Sequence, residues 1–203
     1  MYLDLTYNFI DGMTVWPGDP APQIQQISTV AKDGVAHFEV KTGMHAGTHI
    51  DSPAHMLMGG KMLSEYPPEK FFGRGVCLDA RGKKSADAEL LLNVQINKGD
   101  IVLVCFGWSS EFGQDEYYLN YPEISESLAT RLVELGASIV GSDTCSPDRA
   151  PYRTHKILLG RDVLIMENLT NLEQLIGKNF EVIALPPKFH TEAAPCRVVA
   201  KLL

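Results

Sequence analysis

The segment at residues 45–55, HAGTHIDSPAH, is the part of the chain richest in side chains that can do chemistry. It contains three of the six histidines and one aspartate, in the spacing His45-x3-His49-x-Asp51-x3-His55. Neutral imidazole and carboxylate groups together are suitable ligands for zinc, manganese or iron at neutral pH. A lone histidine is more often a surface residue or a core residue bonded to backbone, but three histidines and an aspartate so close together favour a metal site.

The backbone of this segment is predicted to be extended or looped. Gly47 is a poor helix former, and Pro53 prevents a helix from continuing through the segment. In an extended chain His49 and Asp51 lie on the same side, because strand side chains repeat every two residues. His45 can join them from the preceding turn. Three ligands leave coordination positions open, which suits catalysis better than structural support.

The elements that must position these residues indicate an α/β protein. Near the N-terminus, IQQISTV and VAHFEVK have the length and composition of strands, and Asp33-Gly34 between them is typical of a hairpin turn. Further on, strands alternate with helices, of which ISESLATRLVELG is the clearest, with an apolar stripe and Gly136 at its C-cap. The segment SADAELLLNV is also predicted to be a helix. We expect a mixed, partly antiparallel sheet or barrel-like core flanked by helices, in a single domain spanning residues 1–203.

Composition excludes several classes of function. The net charge is −7, which offers no electrostatic footprint for nucleic acid or an anionic membrane surface. No apolar run reaches the roughly 18–20 residues needed to span a bilayer. The N-terminus, MYLDLTYNFIDG, lacks the basic and apolar regions of a signal peptide. Four scattered cysteines without a CxxC pair favour reduced thiols, so we expect a cytoplasmic protein.

The motif HAGTHIDSPAH resembles the HxGTHxDxPxH signature of the cyclase family of metal-dependent hydrolases, which includes bacterial kynurenine formamidase and isatin hydrolase. Other segments resemble landmarks of the family, in the family order and over essentially the whole chain: WPGDP, FGWSS, GSDTCSPD, THKILLG, VLIMENL and ALPPKFHTEAAPCRVVA. The resemblance implies a fold of the swivelling β/β/α type and a homodimer or homotetramer acting on a small molecule.

The resemblance also implies a site with one or two divalent ions per subunit, zinc or alternatively manganese. His45, His49 and Asp51 would hold the first ion, and Asp51 would reach the second. His155 would bind the second ion, and Glu167 would contact both. Judged without the family, a histidine on an amphipathic helix is more typically a packing residue, and a glutamate at a strand end is more typically solvated.

Two other roles are implied by the resemblance. His55 corresponds to the general acid/base of the family and not to a ligand, and Trp16 corresponds to a residue that lines the substrate pocket in the formamidases. His37 is interpreted as structural and Cys145 as structural or pocket-lining. His190 lies in a loop that could approach the pocket, and its role stays open.

We expect a metal-dependent amide hydrolase, namely an arylformamidase of tryptophan catabolism that cleaves N-formyl-L-kynurenine to L-kynurenine and formate. The WPGDP segment favours this substrate, since Trp16 could stack on its ring. The formamidases carry a DTPSxDP-like run in the region where this chain has Cys145 and Arg149. The substrate pocket could therefore differ. The alternative is hydrolysis of another small cyclic amide, lactone or carbamate, and a more remote one is a non-catalytic metal-binding scaffold.

Overall fold

A nine-stranded mixed sheet forms the centre of the protein in the computed structural model, which describes residues 1–203. In chain order the strands are β1 (Tyr2–Asp4), β2 (Gln23–Ser28), β3 (His37–Lys41), β4 (His49–Asp51), β5 (Phe72–Asp79), β6 (Ser85–Ala86), β7 (Ile101–Cys105), β8 (Glu123–Ile124), β9 (Ile139–Ser142), β10 (Leu164–Glu167), β11 (Phe180–Ile183), β12 (Ala193–Pro195) and β13 (Val199–Leu202).

The large sheet has a parallel centre and antiparallel flanks. Its strand order is β1-β13-β11-β5-β7-β9-β10-β4-β12, and the four central strands β5, β7, β9 and β10 run parallel. All other pairs in this sheet are antiparallel, including β10 with β4 and β4 with β12. The predicted α/β fold with a mixed, partly antiparallel sheet is therefore confirmed.

Strand β7, in the middle of the sheet, is buried on both faces, which explains why it is apolar without interruption. In β7, Ile101 and Leu103 point into one core, whereas Val102 and Val104 point into a second core on the opposite face. This is the two-residue alternation of strand side chains applied to a strand that no solvent reaches. The sheet thus separates two cores.

Helices cover the second core. The α-helices are α1 (Val30–Asp33), α2 (Glu116–Leu119), α3 (Glu126–Leu135) and α4 (Arg153–Leu159). Short 3-10 helices span Pro53–His55, Leu63–Glu65, Pro68–Phe71, Ala88–Leu91, Trp108–Glu111 and Leu172–Leu175. The longest is α3, as predicted: Ser125 accepts a hydrogen bond from Leu128 N at its start, and Gly136 ends it in the left-handed conformation. No helix is long and apolar enough to cross a membrane.

Two local predictions have different outcomes. The hairpin is confirmed, since β2 pairs with β3 antiparallel, with α1 and the left-handed Gly34 between them. The helix predicted for SADAELLLNV is wrong. Its first part, β6, pairs with β8, and only a single 3-10 turn follows. Three consecutive leucines do not make a stripe of helical period, and the third, Leu92, points into solvent.

Candidate metal centre and active site

Two adjacent strands bring distant residues together at this site. Strands β4 and β10 pair antiparallel, with His49 directly opposite Glu167. His49 and Asp51 stand at the two ends of the three-residue β4 and point to the same side, as the spacing predicts. His45 lies in the turn before β4. His155 comes from α4, the helix that precedes β10.

All five predicted ligands lie in one cluster. Asp51 Oδ1 is 3.1 Å from His45 Nδ1 and 3.5 Å from His49 Nε2. Glu167 places one carboxylate oxygen 3.2 Å from His49 Nε2 and the other 3.4 Å from His155 Nε2. The two carboxylates therefore connect three imidazole rings. Except for the partly exposed His45, these side chains are almost completely buried.

His49 is oriented by backbone. Its Nδ1 lies 2.8 Å from the carbonyl oxygen of Gly47, which can only accept a hydrogen bond, so this nitrogen carries a proton and Nε2 is the nitrogen available to a metal when the ring is neutral. The side-chain amide of Asn168 donates to the same carbonyl at 2.9 Å. The Nε2 atom of His49 consequently faces the carboxylates of Asp51 and Glu167.

His155 is oriented by a carboxylate. Asp148 is buried, and its Oδ1 lies 2.5 Å from His155 Nδ1. Its other oxygen accepts a hydrogen bond of 2.7 Å from the backbone N–H of Thr154, in the first turn of α4. Asp148 thus ties the ring to the start of its own helix and leaves Nε2 directed at Glu167.

The residues present fit a divalent cation. Three buried polar atoms of the cluster have no hydrogen-bond partner, namely His49 Nε2 and both carboxylate oxygens of Asp51. Each such atom costs about 1–3 kcal/mol when it stays unsatisfied. Imidazole and carboxylate donors are those expected for zinc or manganese. A cation at this position would satisfy all three atoms.

The ligand atoms form two groups that share Asp51. In one group, atoms of His49, Asp51 and Glu167 all lie within 4.8 Å of one another. In the other, atoms of His45, Asp51 and His55 do so. The shared carboxylate is compatible with one or two ions. Because the second group includes His55, geometry makes this residue a candidate ligand as well as a candidate proton carrier.

The direction of the pKa shift separates His55 from the other three histidines of the cluster. Burial opposes charging of His45 and His155, but the neighbouring carboxylates outweigh it and raise the pKa of His45 to about 9 and that of His155 to about 10. Burial likewise disfavours ionised Asp51, yet His49 and His45 hold its pKa below the usual range. The pKa of His55 is lowered, mainly by burial. His55 is therefore a neutral base at neutral pH.

A cavity of about 280 Å³ opens onto the cluster. We call the part of its lining formed by the candidate ligands and His55 the floor, which comprises His45, His55, His155 and Glu167. Its walls are formed by Trp16, Asp19, Met56, Tyr118, Cys145, Ser146, Tyr152 and Asn168. The ring of Trp16 packs edge-on against the ring of Tyr118, with centroids 6.3 Å apart. Trp16 and Tyr118, here called the aromatic wall, therefore line the same cavity as the candidate metal ligands.

Comparison with known proteins decides the family. The family model Cyclase ("Putative cyclase") matches residues 3–149. An uncharacterised protein of Methanocaldococcus jannaschii is 33% identical over 205 residues, which cover 98% of each chain. The chain belongs to the Cyclase family. A kynurenine formamidase of Erythrobacter litoralis is 26% identical, over 98% of this chain and 93% of its own.

Solved structures agree with this assignment. A protein from Bacillus stearothermophilus, described as a predicted metal-dependent hydrolase, superposes with a TM-score of 0.82 at 27% identity, over 98% of this chain and 97% of its own. Isatin hydrolase A from Labrenzia aggregata has a TM-score of 0.88 at 23% identity, over 98% and 93% of the two chains. The second similarity concerns the fold alone.

The remaining candidates of this cyclase-family chain lie in different places. Trp16 and Cys145 both line the cavity, and burial raises the pKa of the Cys145 thiol, which keeps it protonated. His37 is exposed on β3 and does not line the cavity. His190 is also exposed, and its Nδ1 lies 2.8 Å from the hydroxyl of Ser64.

Sequence reasoning did not identify Asp148, Asn168 or Tyr152. An acidic residue shortly before the helix of a candidate ligand could have indicated Asp148, and the position directly after Glu167 could have indicated Asn168. Tyr152 lines the cavity beside His155, with ring centroids 5.7 Å apart, and has a positive φ of 58°. That conformation is uncommon for a residue with a bulky side chain, and no sequence signal indicated it.

Proposed function

We propose that this cyclase-family protein is a metal-dependent hydrolase of a small amide, most specifically an arylformamidase that cleaves N-formyl-L-kynurenine to L-kynurenine and formate. The observation that supports it best is the placement of unsatisfied buried ligand atoms of His49 and Asp51 beside a cavity that also holds His55 and an aromatic wall. The kynurenine formamidases among the relatives match over almost the whole chain.

In this proposal His45, His49 and Asp51 would hold one divalent ion, His155 would bind a second one, and Asp51 and Glu167 would contact both. Zinc is the proposed metal and manganese the alternative, because imidazole and carboxylate donors suit both. When bound, such an ion lowers the pKa of water towards about 7 and polarises a carbonyl oxygen.

His55 is proposed to move the proton. Burial lowers its pKa and outweighs the opposing effect of Asp51, which favours the neutral imidazole at pH 7. It can therefore take a proton from the water that attacks the amide carbonyl and return it to the departing amine. An amine needs this proton because an amide anion is a very poor leaving group. Acid–base help of this kind is worth about 10²–10⁴-fold in rate.

The aromatic wall is proposed to hold the aryl ring of the substrate. Trp16 and Tyr118 are only partly buried and line the cavity above the histidines, so a flat ring can pack against them while its amide points to the floor. Exclusion of water by this ring would strengthen the electrostatic interactions of Asp51 and Glu167 below it.

Association into a homodimer or homotetramer is also part of the proposal. The hairpin of β2 and β3 contains no buried residue, and it exposes Phe38 and Val40 on one strand. A two-stranded hairpin with no partner is marginally stable in water. A second copy of the chain covering this hairpin would stabilise it, and light scattering after gel filtration measures the oligomeric state.

A cytoplasmic location is proposed from the four free cysteines.

The assay that tests the activity uses purified protein loaded with zinc or manganese, with N-formyl-L-kynurenine as the substrate. We expect release of formate and kynurenine in equal amounts, and loss of turnover after the metal is stripped by a chelator. Absence of turnover by metal-loaded protein would contradict the arylformamidase proposal and favour a cyclic amide, lactone or carbamate. A protein that binds no metal would contradict both enzyme proposals, whereas a protein that binds metal and cleaves none of these substrates would support the non-catalytic scaffold.

A further inference from the structure

The charged residues around the cavity are unevenly distributed. The floor of the cavity carries Glu167 and three histidines. Asp19 is the one charged side chain of its walls. No lysine or arginine lines the cavity. A substrate whose reacting amide faces the floor therefore meets a carboxylate, and no fixed cation, at its other end.

Asp19 and Trp16 belong to one turn. The backbone N–H of Asp19 donates a hydrogen bond of 3.0 Å to the carbonyl oxygen of Trp16, so the carboxylate and the indole ring are presented by the same short loop. The side chain of Asp19 is exposed and pairs with no other residue. Its carboxylate is thus available to a ligand.

Aromatic rings stand beside this carboxylate. Tyr118 packs edge-on against Trp16 and lines the same cavity. An ammonium group is attracted both by a carboxylate and by the faces of tryptophan and tyrosine rings. A carboxylate ligand would be repelled by Asp19 and gain nothing from those ring faces.

An arginine that stacks on Tyr121, a ring packed against Trp16, is engaged elsewhere. The guanidinium of Arg149 stacks on the ring of Tyr121 at 3.8 Å and forms an ion pair with Glu123. It lines neighbouring grooves but not the cavity. The carboxylate of an amino-acid substrate consequently has no cationic partner at the mouth.

We propose that Asp19, together with Trp16, forms an ammonium subsite at the mouth of the cavity. The substrate class is then an aryl amide with a positively charged group remote from the scissile bond, and a carboxylate on the same tail contributes nothing to binding. This inference rests on the proposed function, because it assumes that the amide is cleaved at the floor.

The test compares three ortho-formamidophenyl ketones whose tails end in an ammonium, a hydroxyl or a carboxylate group. For the metal-loaded wild-type protein we expect KM to be lowest for the ammonium tail. Asp19→Asn should raise KM for the ammonium tail by about threefold to fivefold, as for an exposed ion pair, without changing kcat. In Asp19→Asn the KM for the ammonium tail should become nearly equal to the KM for the hydroxyl tail.

A matched control removes the same charge from a nearby surface position. Asp115 is exposed and does not line the cavity, so Asp115→Asn should keep the wild-type order of the three tails. If Asp19→Asn raised KM equally for all three tails, or if the carboxylate tail bound best to the wild type, the ammonium subsite would be wrong.

A binding measurement separates this inference from the proposed activity. The ortho-aminophenyl ketone with a 2-aminoethyl tail has no formyl group, so it can bind without being cleaved. Calorimetry should show tighter binding of this compound than of its hydroxyethyl counterpart, and Asp19→Asn should abolish the difference. If no formamide is cleaved but this difference is found, the proposed activity fails and the subsite stands. Equal binding of both compounds to the wild type overturns the subsite.

Discussion

The β4 half of the site, His45, His49 and Asp51, lies within residues 45–51, whereas the β10 half, His155 and Glu167, comes from α4 and from the strand after it. The first half is local in sequence and ends in a three-residue strand. The second half requires a helix and a strand to be placed against β4 by the sheet. The two halves meet where His49 and Asp51 face Glu167.

The halves also differ in what orients their histidines. The ring of His49 is held by a neutral backbone carbonyl, that of Gly47, and the ring of His155 by the buried carboxylate of Asp148. A carboxylate both fixes the ring and makes its other nitrogen a better donor to a metal. The raised pKa of His155 agrees with this, since Asp148 and Glu167 outweigh the effect of burial. Metal binding by the β10 half should therefore depend strongly on Asp148, which lies outside the ligand cluster.

His55 stands between the halves, and its removal should have the largest effect on turnover. Its ring centroid is 4.3 Å from that of His45 and 5.8 Å from that of His155. We expect His55→Ala to lower kcat by about 10²–10⁴-fold, the usual contribution of a general acid/base, with unchanged metal content. Elemental analysis of the purified variant beside the kinetic assay checks both parts.

The geometry makes the alternative outcome informative. Since a nitrogen of His55 lies within 4.8 Å of ligand atoms of His45 and Asp51, loss of one metal equivalent in His55→Ala would identify His55 as a ligand. His37→Ala is the matched control, because His37 is exposed on β3 and lines no part of the cavity. It should keep both metal content and turnover.

The β4 half could be predicted from sequence because its geometry is local. Gly47 and Pro53 exclude a helix, and the two-residue period then places His49 and Asp51 on one side. The same local logic correctly placed α3, with its cap at Ser125 and its end at Gly136. These features depend on a few neighbouring residues, which are all visible in the printed sequence.

The β10 half could not be predicted in this way. The approach of Glu167 to His49 depends on the register of β10 against β4, which no local spacing encodes. Only the family resemblance pointed to His155 and Glu167, and their roles as ligands stay predictions. Asp148 was missed for the same reason, because its partner at His155 is known only once α4 is placed. The wrong helix at SADAELLLNV has a similar cause, since β6 pairs with the distant β8.

Asp148→Asn should break the β10 half and spare the β4 half. An asparagine presents one oxygen and one N–H₂ group, so it cannot accept hydrogen bonds from both Thr154 N and His155 Nδ1 with two separate oxygens. We expect about 10–100-fold weaker binding of one metal equivalent, the usual effect of losing such a partner. Equilibrium dialysis at several free-metal concentrations measures the two affinities separately.

Asp143→Asn is the matched control for this variant. Asp143 is buried in the same segment and accepts two backbone hydrogen bonds, from Phe106 and Trp108, but contacts no candidate ligand. It should lower stability and keep both metal affinities. If Asp148→Asn weakened both equivalents equally, or neither, the two halves would not differ in the way proposed.

The smallest expected effect is on the β4 half, where Asn168 and His49 share one acceptor. In Asn168→Gly the amide N–H that donates to Gly47 O is lost, together with the oxygen that accepts from the Tyr117 hydroxyl. The hydrogen bond from His49 Nδ1 to Gly47 O remains. A single hydrogen bond contributes about 0.5–1.5 kcal/mol, so metal affinity should fall by about twofold to tenfold. Glycine accepts the positive φ of 55° at this position without strain.

Asn171→Gly controls for the backbone change, because Asn171 also has a positive φ of 60° and its amide bonds to Asp4 O, away from the cluster. Its metal affinity should equal that of the wild type when measured by the same dialysis. An effect of Asn168→Gly as large as that of Asp148→Asn would mean that the neutral support of His49 matters as much as the charged support of His155. A smaller effect is expected, because the carbonyl that orients His49 belongs to the backbone and no substitution of Asn168 removes it.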